Sequence, residues 1–304
     1  MSVPVAYATI IIIWSTTPLA IQWSSETITP ISAITLRMLL AAAIGYAILR
    51  LFKIKLSWTA RAIKVYAASL LGVFLAMLCT YIAAAYVPSG IISVIYALSP
   101  VISNLLSHVL IGSAKFTRAR WFAFGISFSG LLLIFKDDWV VMDKGWFGLL
   151  LLLLAVSLYS LGGVLVEKQK FKAHPLSITV GTLLLSVPLF IAAWFVMDGQ
   201  LPYLDWGTRS PWSVLYLAIA GSLLGFACYF FIIKELGATA VAMVTLMTPV
   251  FALALGAFFN GEHISEVMLI GTACILSGLV LYYWSASERK LDKHKNSESV
   301  EVAG

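Results

Sequence analysis

One arginine, Arg37, stands inside an otherwise apolar run, PISAITLRMLLAAAIGYAILR. A charge in such surroundings costs several kcal/mol unless it reaches water or a partner. Two readings are open. The guanidinium can attract a substrate carboxylate, or it can snorkel to an interface or rest on backbone carbonyls. His108, in a second apolar run, can sense protons or sit as a neutral, hydrogen-bonded core histidine. Trp14, Tyr81, Tyr96, Tyr159 and Tyr229 all fall inside apolar runs. Such rings can wall a pocket and stack on an apolar substrate, although each alone is as much at home in a core. No Asp or Glu falls in the middle of any run, which argues against cation antiport through a carboxylate. No Ser/His or Asp/Asp arrangement stands out as catalytic machinery. Cys79, Cys228 and Cys274 lack metal-ligand spacing and read as small apolar residues, while His174, His263 and His294 lie in loops or the tail. The chemistry expected is binding rather than catalysis, with no metal and no cofactor.

The run GIISVIYALSPVISNLLSHVLIG carries a polar stripe: Ser93, Tyr96, Pro100, Asn104, Ser107 and His108, spaced 3, 4, 4, 3 and 1. On a helix these fall within an arc of about 120°. Lipid offers a hydroxyl no hydrogen bond, so the stripe should face protein or a watery cavity. The alternative is polar glue between helices. Val94, Ala97, Leu98, Val101, Leu105 and Val109 form the opposite, apolar face. A second run, ATAVAMVTLMTPVFALALGAFFNG, presents Thr245 and Pro249 in the matching places, with fewer polar residues. Pro18, Pro100, Pro188 and Pro249 come near the middle of their runs, where each removes a hydrogen bond and bends its helix. Hinge action or cavity shaping is expected above all of Pro100 and Pro249, because they repeat.

The elements that must position these residues are membrane helices. Of 304 residues 61% are apolar and 11% charged, with a mean hydropathy of +0.96. Soluble domains hold about 45–50% apolar and about 25% charged residues, so lipid is the expected solvent. Ten runs are long enough to span: 3–23, 30–50, 63–86, 90–111, 118–136, 145–167, 176–197, 212–233, 238–259 and 266–285. They are too long and continuous for barrel strands. The net charge of +6 is topology rather than a nucleic-acid footprint. With the N-terminus in the cytoplasm, sixteen of the 20 basic residues fall inside and three outside, with Arg37 in a span. Both termini are therefore expected in the cytoplasm. The absence of a basic segment before the first run argues for a retained span rather than a cleaved signal.

The chain is also written twice. At an offset of 149, Gly72/Gly221, Cys79/Cys228, Pro100/Pro249 and Gly112/Gly261 coincide, and at 145, Trp14/Tyr159, Ser15/Ser160, Pro30/Pro175 and Ser32/Ser177. Five spans per copy is an odd number, so the second copy enters from the other side. The expected fold is all-α and membrane-embedded: ten transmembrane helices as two inverted five-helix repeats, residues 1–140 and 141–286, with a disordered tail at 287–304.

The stretch LGATAVAMVTLMTPVFALALGAFFNGEHISEVMLIGTACILSGLVL resembles the last two spans of the EamA branch of the drug/metabolite transporter superfamily. Arg37–Ala42 resembles that family's second span and Ile13-Trp14-Ser15 its first. One departure is Gly112-Ser113 in the first copy against Gly261-Glu262 in the second. The resemblance implies an exporter of small organic metabolites working by alternating access, with amino acids foremost. Nucleotide sugars, sugar phosphates and drugs are alternatives. It also implies a central cavity lined by spans 1–4 and 6–9, with spans 5 and 10 peripheral, in a bacterial inner membrane. Arg37 occurs in relatives of varied substrate, which favours its structural reading. The partners expected are a small-molecule substrate and the bilayer, with no nucleic acid, in a monomer or homodimer.

Overall fold

The computed structural model describes residues 2–112, 118–136, 144–171 and 173–281. The repeat boundary near 140 and the tail lie outside these residues. The described residues form helices throughout: α1 (Val3–Ser24), α2 (Pro30–Leu51), α3 (Ala60–Ala83), α4 (Ser89–Ile111), α5 (Arg118–Ile134), α6 (Gly145–Gln169), α7 (Pro175–Met197), α8 (Arg209–Leu236), α9 (Ala238–Asn260) and α10 (Glu266–Leu281). Eight of these are long and apolar enough to cross a bilayer, and α5 and α10 are shorter over the described residues.

Local sequence sets the ends. The Thr29 and Thr59 hydroxyls accept the Ser32 and Ala62 backbone N–H groups, and Pro30 and Pro175 supply the fixed φ of a first turn. Gly112 and Gly261 end α4 and α9 at φ +76° and +63°, a conformation glycine takes at little cost.

Hydrogen bonds at the two ends of the bundle fix the directions of the helices. At the end holding the α1–α2 turn, here called distal, Thr29 Oγ1 donates to Asp198, Ser210 Oγ to Trp23 O, Trp23 Nε1 to Asn260, and Gln22 Nε2 to Val87 O. At the proximal end Tyr7 Oη donates to Ala240 O at 2.6 Å and Ser177 Oγ to Lys55 O. Helices α1, α3, α7 and α9 thus run proximal to distal, and α2, α4, α6 and α8 the reverse.

Two irregularities recur in both halves. Residues Leu71–Ala76 of α3 and Leu217–Leu224 of α8 are wound as π-helix. The bends expected at Pro100 and Pro249 are breaks instead. Helix α4 stops at Tyr96 and restarts at Ser99, while α9 passes through a 3₁₀ turn at Met243–Leu246 and restarts at Thr248. Each proline takes the second residue of a new segment, where its missing N–H leaves no bond unmade. Pro18 and Pro188 lie inside continuous helices, as expected.

A large apolar core joins α1, α2, α3, α6, α7 and α8. A second core gathers the apolar face of α4 (Val94, Ala97, Leu98 and Val101) with Leu149, Leu152, Leu253 and Ile275. Only the far end of that face, Leu105 and Val109, is exposed. Helices α5 and α10 lean on each other through glycines: a Cβ on Gly130 would lie 2.5 Å from Gly271 O.

Candidate functional site

Helices α1–α4, α6, α8 and α9 meet at mid-depth around a cavity of about 70 Å³. That is several times the roughly 10–15 Å³ a single water needs. Arg37 is the one charged side chain among the described residues lining it. It is 1% exposed, so the snorkelling reading fails. Its Nε donates to Ser222 Oγ at 2.8 Å and its Nη1 to Tyr81 Oη at 3.3 Å, and the guanidinium carbon lies 5.8 Å from the Tyr81 ring centroid. Ser222 lies on the π-wound stretch of α8. Its neighbour Gly221 leaves the space the guanidinium fills: a Cβ there would stand 3.1 Å from Nη2. No carboxylate among the described residues pairs with Arg37. Two of its N–H groups are engaged, of the five a guanidinium carries.

Across the cavity stands a group of rings. Trp14, Tyr96 and Tyr159 line the space. Tyr159 meets Trp14 edge-on at 5.9 Å and Tyr96 at 5.7 Å between centroids, and Tyr229 backs both Trp14 and Tyr159. Trp14 and Tyr159 are counterparts at the 145 offset, so equivalent positions of the two copies touch. Most hydroxyls around the lining are already engaged. Thr80 Oγ1 bonds Ala76 O and Tyr96 Oη, Thr17 bonds Ile13 O, Thr248 bonds Thr245 O, and Thr245 bonds Ser99.

Of the residues singled out in the sequence, Trp14, Arg37, Ser93, Tyr96, Tyr159, Thr245 and Pro18 line the cavity. Tyr81 and Tyr229 stand immediately behind it, holding Arg37 and the ring group. Asn104 and His108 fall outside the lining, half-exposed on the second segment of α4. The stripe therefore reaches the cavity only over its first turns, because the break after Tyr96 separates the two segments. Pro100 is buried at that break, and Pro188 is exposed on α7.

Sequence reasoning missed Ser222, Thr80, Thr248 and Gly221. The single signal for Gly221 was its coincidence with Gly72. It also left unassigned the helix-end roles of two carboxylates. Glu262 accepts the Ser89 and Gly90 N–H groups at 3.0 and 3.3 Å, closing the distal end of α4, and Glu167 accepts Ala238 N–H at 2.8 Å, closing the proximal end of α9.

The model of the EamA-like transporter family matches residues 4–136 and 146–284. The Bacillus subtilis (strain 168) protein named Uncharacterized transporter YoaV is 23% identical over 283 residues, 92% of this chain and 96% of its own. Protein PecM of Dickeya dadantii (strain 3937) is 28% identical over 212 residues, 69% of each chain. The Uncharacterized inner membrane transporter YedA of Escherichia coli (strain K12) is 24% identical over 197 residues, 64% of this chain and 62% of its own. A crystal structure superposes with a TM-score of 0.70 at 16% identity, covering 94% of this chain and 99% of the other, which speaks to the fold alone.

Proposed function

The chain belongs to the EamA-like transporter family, and from that premise we propose that it carries small organic metabolites bearing a carboxylate across the membrane. The substrate sits in the cavity beside Arg37, and alternating access moves it. One observation supports this reading above the others: a buried guanidinium with no carboxylate partner among the described residues lines a cavity with no other charged side chain among those residues. An unpaired charge buried in protein is costly, and an arriving carboxylate would offset that cost with charge-assisted, bidentate hydrogen bonds.

The architecture proposed is ten spans in two inverted five-helix repeats. The opposite directions of α1 and α6, and of α2 and α7, support it, as do the paired π segments and paired breaks. Pro100 and Pro249 would serve as hinges, because a broken helix can reorient its two segments separately. Both termini would be cytoplasmic, in an inner membrane, with the protein working as an exporter in a monomer or homodimer. Amino acids are the first class to test because the family resemblance raises them. Sugar phosphates and nucleotide sugars fit less well, since their two or more negative charges would face one arginine.

The test is counterflow in liposomes holding the purified protein, with labelled amino acids, other carboxylates and sugar phosphates. Saturable flux of at least one carboxylate, lost on Arg37→Met, is expected. Saturable flux that survives Arg37→Met contradicts the site.

A further inference from the structure

Several hydrogen-bonding groups of the cavity have capacity left over, and two of them bear on the ligand. One is the Arg37 guanidinium. The other is the Tyr159 hydroxyl, which is buried and has no partner among the described residues. Tyr159 is 6% exposed, lines the cavity and is held by edge contacts to Trp14 and Tyr96. Five buried side-chain hydroxyls among the described residues lack a partner, which is destabilising, and of these Tyr159 is the one that belongs to the cavity lining.

The charge count is as informative. Arg37 gives the lining one positive charge, and no Asp or Glu among the described residues lines it. A ligand with a single negative charge leaves the occupied site neutral. A zwitterion brings an ammonium group that has no carboxylate to meet, and a dianion leaves one negative charge uncompensated. Both costs are high where water is scarce.

Resting on the carboxylate reading above, we propose that the substrate is a monocarboxylate with an apolar body, no ammonium group and one uncharged hydrogen-bonding group on that body. The carboxylate meets Arg37. The rings of Trp14, Tyr96 and Tyr159 hold the body. The uncharged group meets the Tyr159 hydroxyl. The site therefore prefers a carboxylic acid to the amino acid of the same skeleton, and Tyr159 is a specificity-determining residue.

A matched set of probes tests this: 3-(4-hydroxyphenyl)propanoate, tyrosine, which adds the ammonium, 3-phenylpropanoate, which lacks the hydroxyl, and tyramine, which lacks the carboxylate. Each is measured as a competitor of counterflow and as a thermal stabiliser of the purified, full-length protein. The hydroxylated acid is expected to bind about ten-fold or more tighter than either tyrosine or 3-phenylpropanoate, and tyramine not at all. Tyr159→Phe should cost the hydroxylated acid about ten-fold while leaving 3-phenylpropanoate unchanged. Without ligand, Tyr159→Phe should leave Tm unchanged or raise it, because it deletes an unsatisfied group. A fall in Tm would mean the hydroxyl is structural and would overturn its assignment. Tyrosine binding as well as the acid overturns the charge argument and leaves the carboxylate reading standing. Tyramine binding best, or no probe binding, sinks both.

Discussion

Arg37, Tyr81 and Ser222 have counterparts in the other copy. At the repeat offsets they correspond to Thr182, Phe230 and Val73. Both sets are buried: Arg37 at 1% exposure, Phe230 at 2% and Val73 at 3%. One set is a charged, hydrogen-bonded cluster, and the other is apolar but for one threonine hydroxyl. The same framework is thus built without the charge on one side and with it on the other. Folding does not require a guanidinium at this position of the repeat. Its presence in one copy is a functional expense, and it makes the cavity one-sided. Helices α4 and α9 repeat the lesson. Their breaks coincide, yet α4 is closed by Glu262, whose place in the first copy is Ser113, and α9 by Glu167, whose place is Gln22. Backbone devices are duplicated, and the polar groups that use them are not.

The comparison breaks most sharply if the polar cluster is replaced by its own counterpart. The triple variant Arg37→Thr, Tyr81→Phe, Ser222→Val should fold, with a melting profile close to that of the parent. It should also lose carboxylate affinity by about 30-fold or more, as expected when one partner of a buried charged hydrogen bond is removed. Circular dichroism with counterflow checks both halves. Failure to fold would make the cluster structural.

A smaller effect is expected at the helix ends. A carboxylate on two backbone N–H groups at a helix N-terminus is worth about 1–2 kcal/mol, and one on a single N–H about half as much. Glu262→Gln should therefore lower Tm more than Glu167→Gln. The double variant should lose the sum, since the sites lie at opposite ends of the bundle. Equal or strongly non-additive losses would contradict independent closures.

The smallest effect concerns Asp198, at the distal end of α7. Its carboxylate accepts from Thr29 Oγ1 at 2.5 Å and Ser32 Oγ at 2.8 Å. These bonds, Thr29's first, hold its pKa below the usual carboxylate value. A depressed pKa contributes stability that is complete above the unfolded value, about 3.9, and is lost as pH falls through the folded one. The Tm gap between the parent and Asp198→Asn should be present at pH 7 and close below about pH 4. A gap that widens in acid would reverse the sign.

Much of the framework was legible because lipid imposes it. Run length, turn residues and the repeat of prolines and glycines located every described helix to within a few residues, as at Pro30–Leu51 and Ala238–Asn260. The π segments were not legible, since no residue type enforces that winding. Missing them hid Ser222, which lies on the π-wound stretch of α8 and accepts from Arg37 there. The stripe on α4 carries a single helical period across a break, and its far members Asn104 and His108 lie outside the cavity lining. Glu167 escaped notice, and Glu262 stood out only as a departure between the copies, because a search for buried charges passes over carboxylates at helix ends.

The claim that the cavity beside Arg37 is where substrate binds is tested most directly by protected labelling. Single cysteines replace Ser93, Thr248, Leu105 or Val109 in a background lacking Cys79, Cys228 and Cys274. A water-soluble maleimide is then applied to proteoliposomes with and without 3-(4-hydroxyphenyl)propanoate. The account predicts that positions 93 and 248 label and are protected by the acid, while 105 and 109, on the exposed apolar end of α4 that the membrane reading sets against lipid, neither label nor respond. Protection absent at 93 and 248, or labelling equal at all four, would contradict it.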